Sequence, residues 1–103
     1  MDDFIEKSSG NVYKDLGYAN PESMQMKASI VIRIRKIMEE RKLTQKQVSD
    51  LTGIPQSKIS NILNGQFRGV SEYRLLDCLA ALGNDLEIRV RPTNGEPGKI
   101  AFA

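Results

Sequence analysis

Within GIPQSKISNILNGQ, Gly53 to Gln66, the residues Gln56, Ser57, Lys58 and Asn61 set short amides, a hydroxyl and an ammonium at helical spacing. Ile54, Ile59, Ile62 and Leu63 fall on the other stripe of the same segment. Ser and Asn compete with the backbone for hydrogen bonds and weaken a helix, so a face that meets only water is usually built from Glu, Lys, Arg and Ala. The polar residues chosen here suit a different task. Gln or Asn makes paired hydrogen bonds to adenine, and Ser bonds several base edges. Gln56, Ser57 and Asn61 are therefore candidates for reading bases in a DNA major groove, and Lys58 beside them could reach a base or a phosphate. Phosphate contacts are expected on either side: Gln45 and Lys46 at the start of the preceding helix, and Asn64, Gln66 and Arg68 after this one. Arg68 reads equally well as an ordinary surface charge. Arg33, Arg35 and Lys36 of RIRK read as helix surface rather than as contacts.

Other chemistries are poorly supplied. The 103 residues include no His and one cysteine, Cys78, which excludes His-based acid/base catalysis, a Cys/His zinc site and an intrachain disulfide. Cys78 lies in an apolar run and is expected in the core. Ser57 and Lys58 are adjacent on a helix and diverge, so they cannot act as a nucleophile and base, and no enzyme activity is expected. No cofactor is called for. An RNA ligand fits less well, because the major groove of A-form RNA is too narrow for a helix and RNA modules use exposed aromatics. Net charge is only +2, yet residues 1–26 sum to −3, 27–70 to +6 and the remainder to −1, a basic centre compatible with nucleic acid. The acidic start MDDFIEKSSG lacks a secretion signal, and the most apolar run, SIVIRI, is broken by Arg33, so no membrane span and a cytoplasmic location are expected.

The elements that must position these residues follow from periodicity and punctuation. Asn20 and Pro21 mark the start of a first helix, in which Met24, Ala28, Ile30, Val31, Ile34, Ile37 and Met38 keep helical spacing to about Arg41. Thr44 and Gln47 of TQKQ form a capping box that opens a short second helix, ended by Gly53. Pro55 starts the third, Asn64 and Gly65 end it, and a fourth runs from Ser71 through Leu75, Leu76, Leu79 and Leu82 to Gly83. In LEIRVR, Leu86, Ile88 and Val90 alternate with charged residues and predict a half-buried strand. The expected fold is mainly α: a small helix-turn-helix DNA-binding domain of four to five helices with a C-terminal β-strand, spanning 21–92. It is preceded by an arm, 1–20, and followed by a flexible, turn-rich tail, 93–103.

Two short helices joined by a glycine turn, the second polar on its outer face, are the helix-turn-helix. LTQKQVSDLTGIPQSKISNILNGQ resembles the Cro/repressor-like family, also called XRE, in the order LTQ, small residue, Gly-Ile, spaced aliphatics and Asn-Gly. Ser49 stands where Ala is commoner and Thr52 where an aliphatic residue is usual, departures expected to loosen packing slightly. The flanks NVYKDLGYANPESM, GQFRGVSEYRLLDCLAALG and NDLEIRVRP extend the likeness over Asn11 to Pro92 to the HigA-type antitoxin branch. That resemblance implies a repressor of its own operon that neutralises a HigB/RelE-like mRNA-cleaving toxin. The alternative is a stand-alone regulator of the same family without a toxin partner.

Two further expectations concern partners. A lone strand needs a neighbour, so Leu86, Ile88 and Val90 are expected to pair with a second copy, giving a homodimer on a palindromic duplex, or else to form a hairpin with Lys99 to Ala103. In the acidic arm, Phe4, Ile5, Val12, Tyr13 and Leu16, with Tyr18, are candidate anchors for a basic toxin surface. The competing reading packs Asn11 to Tyr18 against the first helix.

Overall fold

The computed structural model of the chain describes Leu16 and residues 20–102. The described residues form four α-helices: α1 (Pro21–Arg41), α2 (Gln45–Thr52), α3 (Gln56–Leu63) and α4 (Glu72–Ala81). Pro21 begins α1 without needing a backbone donor, and the Asn20 carbonyl accepts from Met24 N at 3.0 Å. The Asn20 side chain makes no capping bond. α1 buries Met24, Lys27, Ile30, Val31 and Ile34 on one stripe and ends at Lys42, whose backbone is left-handed at φ 54°.

α2 opens with both halves of the capping box. Thr44 Oγ1 accepts from Gln47 N at 3.1 Å, and Gln47 Oε1 accepts from Thr44 N at 2.8 Å. Gly53, at φ 76°, turns the chain sharply into Ile54 and Pro55, a conformation that a side chain would strain. Ser71 caps α4 by accepting from Arg74 N at 3.0 Å.

The core lies where the four helices converge. Ile30 and Ile34 of α1, Val48 of α2, Leu75 of α4 and Leu82 just beyond it are its least exposed large side chains. Ile59 and Ile62 root α3 in it, and Phe67 and Val70 root the α3–α4 connection. Cys78 is buried as expected, and burial pushes its thiol up to about 11.

The expected strand is a correction. Among the described residues there is no β-strand, and 84–92 carry no regular structure. Leu86, Ile88 and Val90 are exposed, the last two by 89% and 92%. The physical reason is that no segment of the described chain offers ladder hydrogen bonds to 86–91; residues 99–102 do not pair with it. The tail instead returns to α1, where Phe102 is half-buried and the Arg33 guanidinium lies over its ring, 5.8 Å from the centroid.

Candidate nucleic-acid interface

α2, the Gly53 turn and α3 form the helix-turn-helix. Its turn is tied by the two residues that depart from the usual pattern. Ser49 Oγ donates to the Ile54 carbonyl at 2.5 Å, and Thr52 Oγ1 donates to the Val48 carbonyl at 2.8 Å while accepting from Ile54 N at 3.2 Å. Beyond any cost in packing, these hydroxyls give partners to the Ile54 N–H and carbonyl at the turn.

α3 divides cleanly. Ile59 and Ile62 are buried, and Gln56, Ser57, Lys58 and Asn61 are all exposed on the face turned away from the core. Eight residues suffice for this because two aliphatic anchors three positions apart fix the rotation of a helix about its axis. The amides, hydroxyl and ammonium are thus presented together, in a helix narrow enough for a major groove.

Of the expected phosphate contacts, Lys46, Asn64, Gln66 and Arg68 are exposed and Gln45 is half-buried. Lys46 faces Asp50 at 3.7 Å, with both side chains well exposed, a pair weak enough in water to yield to a phosphate. Asn64 and Gln66 follow α3 directly, where Gln66 N donates to the Asn61 carbonyl at 2.8 Å and wraps the chain around the helix end.

Behind this surface stand residues that the sequence reading missed. Lys27 is buried in α1, and its Nζ donates to the Arg68 carbonyl at 2.9 Å. Arg35 is exposed on the helix surface, as expected, and also donates through Nη2 to the Leu63 carbonyl at the end of α3, while Arg41 donates to the Leu82 carbonyl beyond α4. Ser23 Oγ donates to Glu72 Oε2 at 2.7 Å. That hydrogen bond, then the backbone bond at Glu72, holds the Glu72 carboxyl below its ordinary value against partial burial, with help from the Lys27 charge. One signal was available: Lys27 falls three residues after Met24 and four before Val31, on the apolar stripe.

Of the arm residues, Phe4, Ile5, Val12, Tyr13 and Tyr18 lie outside the described residues, and Leu16 is 67% exposed. No described helix is long and apolar enough to cross a membrane.

Comparison with known proteins places this geometry. A family model described as a helix-turn-helix domain matches residues 12–91. The chain is 39% identical over 59 residues to a candidate antitoxin, HigA2, of Mycobacterium tuberculosis; the aligned part is 57% of this chain and 58% of that protein, so the chain spans little more than half of its relative. A solved chain described as a candidate XRE-family transcriptional regulator superposes with a TM-score of 0.69 at 27% identity, over 80% of this chain and 92% of that one. With its matched helices, glycine turn and divided third helix, the chain belongs to the helix-turn-helix domain family, and within it is similar to a HigA-type antitoxin and an XRE-family regulator.

Proposed function

We propose that this regulator is a repressor that reads a palindromic duplex through α3, and that it is the antitoxin of an operon whose toxin is a HigB/RelE-like ribonuclease. The observation that carries the DNA reading is the division of α3, with Gln56, Ser57, Lys58 and Asn61 exposed opposite the buried Ile59 and Ile62. Gln45, Lys46, Asn64, Gln66 and Arg68 hold the helix to the phosphates. The unpaired, alternating Leu86, Ile88 and Val90 join two copies by a strand that forms only in the dimer, which sets two α3 helices on one face of the duplex. Phe4, Ile5, Val12, Tyr13 and Leu16 of the arm engage the toxin. Support for the antitoxin role comes from the name of the Mycobacterium tuberculosis relative.

A stand-alone regulator is the second reading. It is favoured by the solved regulator, which this chain covers almost from end to end while spanning just 58% of the antitoxin.

The test has two arms. Selection from a randomised duplex pool should enrich a palindrome protected by the full chain, and failure to enrich any sequence would sink the DNA reading. Co-expression with a RelE-like toxin encoded beside it should restore growth, and deleting residues 1–20 should abolish rescue. The absence of such a neighbour would leave the stand-alone regulator, whereas full rescue by the deleted chain would refute the arm as the toxin-binding segment.

A further inference from the structure

We infer that Lys27 and Arg35 of α1 are positioning residues for DNA binding, which pin the two ends of the segment carrying Asn64, Gln66 and Arg68. The inference rests on the reading of that segment as DNA-facing. Arg35 holds the carbonyl of Leu63, where α3 ends, and Lys27 holds the carbonyl of Arg68, at 2.9 Å. The two cations are two helical turns apart on α1, about 12 Å along its axis. Between the pinned carbonyls, the exposed Asn64 and Gln66 project from a backbone that the buried Phe67 roots from below.

Lys27 is the informative member. It is the sole buried charged side chain among the described residues, 7% exposed on a stripe otherwise made of Met24, Ile30, Val31 and Ile34. Burying an ammonium is costly unless it is well bonded, and an apolar side chain of the same volume often serves stability as well or better. Packing alone therefore gives no reason for a lysine here. A fixed Arg68 backbone does, because a phosphate contact made by a pre-ordered segment avoids the entropy of ordering it on binding. The Ser23 to Glu72 hydrogen bond, one turn before Lys27 on α1, anchors the far side of the same connection at the start of α4. Burial also keeps the Lys27 ammonium from touching DNA itself, so any effect it has on binding passes through the segment.

The experiment uses the duplex that the full chain enriches from a randomised pool and measures the slope of log affinity against log salt. Absence of enrichment would remove the DNA reading and this inference with it; given enrichment, the variants test the inference alone. Lys27→Met should flatten the slope by about 0.9, the change expected for one lost phosphate contact, and should match Arg68→Ala. The double variant should lose no more than either single one. Additive losses, or a Lys27→Met slope equal to that of the parent chain, would overturn the inference. Should Lys27→Met fail to fold, Arg35→Met and Asn64→Ala form the second pair: non-additive losses, restored by Arg35→Lys, support it. Additivity there would mean that Arg35 acts as an independent contact, and would equally overturn it.

Discussion

Asn61 and Gln56 each present a side-chain amide on the exposed face of α3, and neither contributes to the core. Replacing either with Ala is therefore expected to leave the melting temperature nearly unchanged while weakening binding to the cognate duplex by about 1 to 3 kcal/mol and relaxing sequence preference at one position. Equal binding by both variants, read by fluorescence anisotropy, would show that α3 does not face the bases. At Glu72 the prediction concerns pH. Its folded pKa lies below the ordinary 4.5, so its contribution to stability is present above 4.5 and is lost as pH falls through the lower folded value. Ser23→Ala removes the largest cause of that shift. The pKa should rise towards 4.5, and the variant should lose less stability on acidification than the parent, as followed by an NMR titration and by denaturant melts below and above that pH. The residues that meet water or a ligand directly were legible from their types. Lys27, Arg35 and Arg41 were not, since each finds its carbonyl partner at least 28 residues away along the chain.

The helices and their ends were legible for the opposite reason. Thr44 with Gln47, Gly53, Ser71 and Pro21 act on groups within four residues, and such signals need no knowledge of the fold. The strand expected at 86–91 relied on a partner, which local pattern cannot supply. Ser49 and Thr52 add hydroxyl bonds to backbone partners within five residues, which the family pattern does not disclose. One helix end carries avoidable strain. Lys42 adopts φ 54°, where a Cβ is disfavoured and glycine is at ease. Lys42→Gly relieves that strain, less the extra freedom of glycine in the unfolded chain, and should stabilise the protein by about 0.5 to 1 kcal/mol. A rise of several degrees in thermal melting would bear this out; a fall would mean that the Lys42 side chain contributes more than its backbone costs.

At the scale of the whole molecule, Leu86, Ile88 and Val90 leave apolar side chains exposed after α4. Within the described chain nothing pairs with them, so truncation after Thr93 should leave a dimer intact when followed by light scattering across a concentration series. A monomer after truncation, from a parent that is dimeric, would assign the tail and not the strand as the joint. The uneven charge of the sequence also takes a spatial form here: of the basic middle, Lys27 is buried on the Arg68 carbonyl, while Arg35 and Arg41 stay exposed and each donates to a carbonyl at or just beyond a helix end.

The burial of Cys78 has a practical corollary. Only the thiolate reacts with alkylating reagents, and the chain's one thiol is 4% exposed and held at about 11. The folded protein should resist labelling, and each modification by iodoacetamide would then record an excursion in which α4 has parted from the core. Labelling kinetics become a clock for opening that needs no engineered probe. The clock should slow when the cognate duplex is added, because a ligand bound to the folded form alone depletes the opened one. An unchanged rate at saturating duplex would locate the opening in a part of the fold that DNA does not hold.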